Sequence, residues 1–254
     1  MNCCHCQGIE AHFDEKKAAK KIKLYREAGP HETTCILIDA LKAYGVNGMT
    51  LLDIGGGVGG IQHELLNAGL RSATNVEASS GYIDVAKAEA ERRGLADRVS
   101  YHHGNFVELA PQIPPADIVT LDRVICCYPD MPAMVNLSAT RARKLYGVVY
   151  PRVTWRTKIW FITDNVGYWL RRNPFRIFLH PTEAVDAAVR SNGLKQCFYQ
   201  KTSMWQVVLY ERSNRHEGSH AYRHSVSKLT ATKVRMLSHS DLRSRFANHP
   251  NLAI

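Results

Sequence analysis

The sequence lacks any apolar run long enough to cross a membrane. A spanning helix needs roughly 18 or more consecutive apolar residues, and no stretch of this chain approaches that length. The opening residues, MNCCHC, also lack the basic segment and the apolar segment of a secretory signal. We therefore predict a cytoplasmic protein that has no membrane span.

The cysteines are odd in number and unevenly placed. The chain has 7 cysteines, an odd number, and they cluster near the N terminus and at positions 126 and 127 instead of spreading along the chain. This pattern argues against a disulfide framework and favours reduced thiols. The Cys3-Cys4-His5-Cys6 cluster has no second Cys or His cluster to complete a zinc site, so we predict no bound metal.

Acidic residues are too few to balance the basic ones. The chain has 33 Lys and Arg against 23 Asp and Glu, a net charge of +10. Residues 212–254 alone hold eight basic and two acidic residues, a net +6, so the excess lies mainly in this tail. Two interpretations of the tail stay open: a flexible, solvated appendage, or an electrostatic clamp on RNA or an acidic partner. Because the rest of the chain lacks a recognisable basic and aromatic RNA-binding module, a nucleic-acid partner is not favoured.

The body of the chain alternates short apolar runs with amphipathic segments. Predicted helices cover 11–27 (largely exposed), 32–44, 80–93, 131–145 and 181–191, and predicted strands cover 49–54, 73–76, 99–102, 117–121, 146–150, 195–200 and 205–210. The last two strands are joined too tightly for a helical crossover, so they must pair antiparallel. The pattern predicts an α/β fold: a doubly wound, mostly parallel seven-stranded Rossmann-like sheet with one antiparallel edge strand. This domain covers 49–211 and follows a helical extension over 1–48.

A glycine-rich segment, DIGGGVGG, follows the first parallel strand and opens a helix. Glycines there let the backbone turn sharply and approach a ligand, and the free N–H groups of the helix attract a negative group. Glu77, 24 residues after Asp53, ends the second strand, where a carboxylate can accept hydrogen bonds from ribose hydroxyls. A nucleoside-containing ligand is therefore predicted, although Gly55, Gly57 and Gly60 also satisfy the dinucleotide fingerprint.

Three features favour S-adenosylmethionine over a dinucleotide. Asp53 stands two residues before the first glycine, where a carboxylate serves an ammonium group but repels a pyrophosphate. Gly104-Asn105-Phe106 follows the third strand and offers an amide and an aromatic ring to an adenine. The terminal antiparallel hairpin also departs from the all-parallel dinucleotide sheet.

Residues 49–211 resemble the class I S-adenosylmethionine-dependent methyltransferases, through LLDIGGGVGG, NVEAS, HHGNF, ADIVTLDRVICCYPD and the final hairpin. The resemblance implies that Asp53 and the glycine loop hold the methionine portion, Glu77 the ribose, and Asn105 with Phe106 the adenine. Many members carry Asp where Asn105 stands. The full set of cofactor-binding residues is Asp53, Gly55, Gly56, Gly57, Gly59, Glu77, Ala78, Gly104, Asn105 and Phe106. Within the superfamily, DRVICCYPD is similar to a segment of magnesium-protoporphyrin O-methyltransferases, chiefly through Tyr128-Pro129.

On the acceptor side, Tyr128 is the candidate catalytic residue, because it lies just beyond the fourth strand, where the methyl group should point. The alternative is a loop tyrosine that packs on the glycine turn. Cys126 and Cys127 are expected to be small core residues, and His180 to be structural at a helix start instead of a base.

An aromatic helical insertion is predicted at about 155–178. Trp155, Ile159, Ile162, Val166 and Trp169 fall on one helical face. This face either forms a lid over a flat or apolar acceptor or packs on the sheet. The predicted function is methyl transfer from S-adenosylmethionine to a small, flat or apolar acceptor. The alternatives are RNA or protein methylation using the basic tail, and an inactive cofactor-binding scaffold; the acceptor atom and the oligomeric state stay open.

Overall fold

The computed structural model describes residues 4–213, with side chains from residue 7 onward. The predictions about the Cys3-Cys4-His5-Cys6 cluster and about the tail from residue 214 lie outside these described parts. The strands are β1 Thr50–Ile54, β2 Ser72–Glu77, β3 Val99–His103, β4 Ala116–Asp122, β5 Ala142–Pro151, β6 Leu194–Lys201 and β7 Trp205–Arg212. The helices are α1 Cys4–His12, α2 Glu15–Ala28, α3 Glu32–Tyr44, α4 Gly60–Asn67, α5 Ser80–Arg92, α6 Phe106–Leu109, α7 Met131–Arg141, α8 Trp155–Leu170 and α9 Thr182–Ser191.

The strands form one sheet in the order β3-β2-β1-β4-β5-β7-β6. β7 runs antiparallel to both β5 and β6, and the other neighbours pair in parallel. The predicted fold class is therefore confirmed. The single reversed strand, β7, lies one position in from the edge, because the tight turn that joins it to β6 folds it back between β6 and β5.

Side chains alternate between the two faces of the sheet, as the pleat requires. Leu51 and Val149 pack on the face covered by α3 and α4, and their neighbours Leu52 and Val148 pack on the face covered by α7 and α9. The chain changes direction across the sheet where β1 and β4 lie side by side. In open α/β sheets the crevice at the carboxyl ends of such strands is the usual ligand site.

The N-terminal extension differs from its prediction. The predicted helix over 11–27 is two helices, because Asp14 accepts a hydrogen bond from the N–H of Lys17 and caps a new start at Glu15. The segment is largely exposed, as predicted, but one side of α2 is buried. Ala18, Ile22 and Tyr25 are buried against Val58 and Tyr82. These few apolar positions of α2 are hard to recognise in a sequence segment rich in lysine.

The helix predicted over 131–145 extends too far toward the C terminus. α7 stops at Arg141, and residues from Ala142 onward extend into β5, where they pair with β4. Ala-Arg-Lys-Leu favours a helix when taken alone. Pairing of this segment with β4 on one side and β7 on the other outweighs that local preference.

The apolar face of α8 adopts neither of the two predicted arrangements, which were a lid over the acceptor and packing on the sheet. Trp155 is 68% exposed and Trp169 is 67% exposed, and the residues of this face between them are exposed as well. The opposite face, with Thr157 and Phe161, packs on the protein. The face therefore points into solvent instead of packing on the sheet. Within residues 4–213, no helix combines the length and the hydropathy needed to span a bilayer.

Candidate active site

Two adjoining cavities lie at the carboxyl ends of β1, β2 and β4. They share the loop glycines Gly55 and Gly57 together with Lys21, Tyr82, Asp122 and Arg123. The first cavity extends toward Glu77, Ala78, Gly104, Asn105, Phe106 and Tyr128. The second extends toward Asp53, Gly56 and the start of α3. Of the predicted residues, Gly59 alone lines neither cavity; it caps the N terminus of α4 with a φ of 84°.

The glycine loop takes a conformation that side chains would block. Gly55 has a φ of 64°, in the left-handed region that favours glycine, and a Cβ atom there would collide with the side chain of Val124. Gly57 has a φ of 56°, and its N–H donates a hydrogen bond of 2.9 Å to Oε2 of Glu77. The loop thus lies directly against the end of β2.

Three backbone N–H groups hold the Glu77 carboxylate. Oε1 accepts from Ala78 at 2.8 Å and from Ser79 at 3.0 Å, and Oε2 accepts from Gly57. Burial raises the pKa of Glu77, and the three hydrogen bonds oppose that rise. A carboxylate has about four acceptor sites, so Oε2 keeps one that can accept a hydroxyl.

Asp53 combines burial with an unused acceptor. Its Oδ1 accepts a hydrogen bond of 2.7 Å from the Thr120 hydroxyl. Its Oδ2 is buried and has no partner among the residues that the structure describes. Burial raises the pKa of Asp53 to about 7, the hydrogen bond from Thr120 opposes the rise, and the nearby Asp122 and Glu77 carboxylates add to it. A cationic group in the second cavity would supply the missing partner and favour the ionised form.

The side-chain amide of Asn105 forms hydrogen bonds within the protein. Its Oδ1 accepts from the N–H of Val107 and so caps α6. Its Nδ2 donates to Oε1 of Glu108 at 3.0 Å and to the hydroxyl of Tyr128 at 3.2 Å. Tyr128 is therefore beside the predicted adenine residues, at the Asn105 end of the first cavity.

A polar cluster, absent from the sequence predictions, lies where the two cavities meet. It consists of Lys21 on α2, Thr34 on α3, and Asp122 with Arg123 at the end of β4. The Thr34 hydroxyl donates to Asp122 at 2.5 Å, and Nε of Arg123 donates to the same carboxylate at 3.1 Å. Burial opposes ionisation of Asp122, but Arg123 and Thr34 outweigh it and hold the pKa below its usual value.

Two members of this cluster are in unusual states. Arg123 has a φ of 61°, which is uncommon for a residue with a side chain and is typical of functional sites. Burial and the neighbouring Arg123 lower the pKa of Lys21 to about 7, although Asp122 opposes the change. Lys21 therefore loses its proton more readily than an exposed lysine does. The only sequence signal was its place one turn before Tyr25 on the buried side of α2.

His180, Cys126 and Cys127, the other residues considered in the sequence analysis, occupy positions that suit a structural role. His180 contacts the backbone carbonyls of Ile125 and Tyr128, each at 3.1 Å from Nε2, and lines neither cavity. Cys126 and Cys127 are buried, with 3.9 Å between their sulfurs. The contact with Cys126 and burial raise the pKa of Cys127, so this thiol is not a ready nucleophile. The described residues contain no group of three or more His, Cys, Asp or Glu side chains suited to a metal ion.

Known structures share this fold. Magnesium protoporphyrin IX methyltransferase from Synechocystis, with bound S-adenosylhomocysteine, aligns with a TM-score of 0.64 and 15% identity over 81% of this chain and 98% of that one. An O-methyltransferase family protein from Burkholderia thailandensis gives 0.61 and 16% identity over 76% of this chain and 58% of that one. An O-methyltransferase family 2 protein from Planctomyces limnophilus, in complex with apigenin, gives 0.59 and 18% identity over 78% and 62%.

The family comparison extends from the first helix to the start of β5. The model of the O-methyltransferase domain matches residues 4–142, more than half of the chain. This range includes the glycine loop, Glu77, Asn105, Tyr128 and the helices that carry Lys21 and Thr34. The cradle of glycines, the held Glu77 carboxylate and the unpartnered Asp53 oxygen suit S-adenosylmethionine, the cofactor that this family uses. The chain therefore belongs to the O-methyltransferase domain family of S-adenosylmethionine-dependent methyltransferases.

Proposed function

We propose that this enzyme methylates a hydroxyl group of a small, flat or apolar molecule. The proposal rests on the N-terminal helices that line one side of the first cavity, referred to here as its roof. Ile9 and Phe13 from the α1 region and Lys21 from α2 line the same cavity as the glycine loop. A cavity lined in part by these helices suits a small molecule that can enter it.

The geometry of the cavity supports the cofactor-binding residues that the sequence predicts. We assign the ribose to the remaining acceptor of Glu77, and the ammonium group of the methionine portion to Oδ2 of Asp53. We assign the adenine to the pocket beside Ala78, Gly104, Asn105 and Phe106. When bound there, S-adenosylmethionine supplies an electrophilic methyl group.

Lys21 is the best candidate for the base. Its amine, with a pKa lowered to about 7, can take the proton of the acceptor hydroxyl as the oxygen gains the methyl group. His31 lines the second cavity as well, but burial and Arg123 lower its pKa to about 4, which makes it a weaker base. Asp122 and Arg123 hold each other beside Lys21 and set the charge around its amine.

The apolar walls favour an apolar acceptor. Ile9, Phe13, Val124, Cys127 and Met134 are among the residues that line the first cavity outside the cofactor-binding set. Two proteins with this fold have planar ligands in their names, magnesium protoporphyrin IX and apigenin, which supports the proposal without identifying the molecule. Among the described residues, Cys35, Cys126, Cys127 and Cys197 form no disulfide, which suits the reducing cytoplasm, where we propose that the enzyme acts.

A panel of acceptors tests this proposal. Formation of S-adenosylhomocysteine is measured with planar phenols, aliphatic alcohols, sugars, amines and carboxylic acids of similar size. We expect turnover with planar or apolar hydroxyl compounds and little with sugars. Turnover restricted to amines or carboxylic acids would contradict the proposal, and the Lys21→Met variant serves as the control for base-dependent chemistry.

A further inference from the structure

α8 carries an exposed apolar ridge, defined here as Trp155, Ile159, Ile162, Val166, Trp169 and Leu170. Their exposed fractions run from 49% at Val166 to 68% at Trp155 and Leu170. The ridge follows one side of the whole helix, because these residues are spaced at intervals of three and four. Large contiguous apolar surface of this kind marks an interaction site on a folded protein.

The fold does not need the ridge for its own packing. The opposite side of α8 holds the helix in place, and Phe161 on that side is buried. The ring centroids of Trp160 and Trp205 lie 6.1 Å apart in an edge-to-face contact, and those of Tyr168 and Phe175 lie 5.3 Å apart. Thr154 and Thr157 form a capping box at the N terminus. The helix is thus firmly anchored while its apolar side faces solvent.

Cations surround the ridge. With about 100° between successive residues, exposed Arg156 and Lys158 lie on opposite flanks of the ridge. Arg171 and Arg172, both exposed, follow its C-terminal end. The one acidic residue of the helix, Asp164, projects from the side opposite the ridge.

We propose that the ridge docks on an anionic lipid surface, with α8 lying in the plane of the interface. Tryptophans at both ends suit the boundary between headgroups and acyl chains, the aliphatic residues between them suit the acyl region, and the flanking cations suit lipid phosphates. This inference concerns a surface outside the two cavities and does not depend on the proposed acceptor.

A second copy of the chain fits the ridge less well. A helix of 16 residues presents a strip about 24 Å long and about 10 Å wide, which a second copy could cover only by placing its own ridge against it. Pairing two ridges would bring Arg156, Lys158, Arg171 and Arg172 of one copy close to the same cations of the other. No acidic side chain of α8 flanks the ridge to offset that repulsion.

The C-terminal tail is also poorly suited to cover the ridge. The described chain leaves the sheet at Arg212, which donates hydrogen bonds to the carbonyls of Ala139 and Ala142, at the end of β5 where that strand begins. α8 follows the other end of β5. Residues 212–254 carry a net charge of +6, and the cations around the ridge repel such a segment.

Docking there would place the membrane near the roof of the cavity. Tyr168, on the inner side of α8, contacts Phe175, and Phe175 contacts Phe13 at 5.5 Å. Phe13 lines the first cavity. A lipid surface on the ridge is thus connected to the cavity through two aromatic contacts.

Vesicle flotation with the full chain tests the proposal. Vesicles of phosphatidylcholine alone are compared with vesicles that contain phosphatidylglycerol, and tryptophan emission is recorded in parallel. We expect binding to the anionic vesicles only, a shift of emission to shorter wavelength from Trp155 and Trp169, and weaker binding as salt is raised. Absence of binding to anionic vesicles would overturn the proposal.

Two matched variant sets identify the docking surface. Trp155→Ser/Ile162→Ser/Trp169→Ser removes apolar surface, and Arg156→Glu/Lys158→Glu reverses the flanking charge; each is expected to weaken vesicle binding by about tenfold or more. Lys16→Glu/Lys20→Glu changes the net charge equally at exposed positions of α2 and should retain most of the binding. Equal binding by the wild type and the ridge variant would overturn the proposal and assign binding to the basic tail. A ridge-dependent dimer in light scattering would overturn it in favour of an interface between copies.

Discussion

The side-chain amide of Asn105 donates a hydrogen bond to the hydroxyl of Tyr128 across 3.2 Å. This contact joins the residue predicted to be catalytic to the residue predicted to bind adenine. It holds the Tyr128 hydroxyl beside the residues predicted to bind adenine. We therefore propose that Tyr128 positions the cofactor pocket and does not act on the acceptor.

Tyr128→Phe should raise the KM for S-adenosylmethionine and leave kcat within about twofold. Loss of one hydrogen bond is worth about 0.5–1.5 kcal/mol, so the expected change in KM is roughly two- to tenfold. Steady-state kinetics measures both constants. Tyr101→Phe is the control, because its hydroxyl contacts the Ala86 carbonyl outside the cavities. A collapse of kcat at unchanged KM would return Tyr128 to a catalytic role.

Asp53→Asn should weaken cofactor binding while it leaves the fold intact. Asn keeps the oxygen that accepts from Thr120 but removes the charge that we assign to the ammonium group. The loss should be roughly 10- to 100-fold in Kd, measured by calorimetry with S-adenosylhomocysteine. In the wild type, binding should weaken as pH falls below about 7, because the protonated carboxyl cannot pair with a cation. Unchanged affinity in the variant would remove Asp53 from the site.

The same carboxyl should make the cofactor-free protein less stable as pH rises. Its folded pKa of about 7 lies above the ordinary 3.8, so the folded state binds the proton more tightly than the unfolded chain does. The contribution to stability is thus fully present below pH 3.8 and is lost as pH rises through 7. Denaturant titrations of the wild type and Asp53→Asn at pH 6 and pH 8 measure this. We expect the variant to gain stability relative to the wild type at the higher pH, and an equal difference at both pH values would contradict the assignment.

Lys21→Met should lower kcat/KM for the acceptor by roughly 100-fold or more at saturating cofactor, the usual loss when a general base is removed. Lys21→Arg should fail as well, because a guanidinium does not deprotonate. The wild-type rate should rise with pH and level off above about 7, as the amine loses its proton. Lys20→Met, at an exposed position one residue away, is the matched control. Retention of the rising limb in Lys21→Met would identify another base.

Glu89→Gln should destabilise the protein by about 2 kcal/mol. The Glu89 side chain is fully buried and meets Arg26, Arg92 and Arg93 at 2.6–2.8 Å. Hydrogen bonds from Arg92, followed by those from Arg93 and Arg26, hold the pKa of Glu89 well below its usual range. Glu91→Gln, at an exposed position, should change the free energy of unfolding by less than about 0.5 kcal/mol. Equal effects of the two substitutions in denaturant titration would show that the cluster contributes nothing.

Sequence patterns identified the sheet, its reversed strand and the glycine loop because each depends on residues close together in the chain. Gly55 and Gly57 follow a buried strand, and that local context predicts where they lie. Lys21 could not be distinguished from the other lysines of α2, because its environment is formed by Asp122 and Arg123 from the far end of β4. The direction of the α8 ridge also escaped prediction, since periodicity shows that a helix has an apolar side but not what that side faces.

Transfer of a labelled methyl group into fractionated cell extract tests whether the acceptor is a small apolar molecule. The purified protein is incubated with labelled S-adenosylmethionine and extract, and the label is followed into apolar small molecules, polar small molecules, RNA and protein, with Asp53→Asn as the control that has weakened cofactor binding. We expect the label to enter small molecules extractable into organic solvent and to be released by reagents that cleave methyl ethers. Label that enters RNA or protein, and depends on the active enzyme, would contradict it.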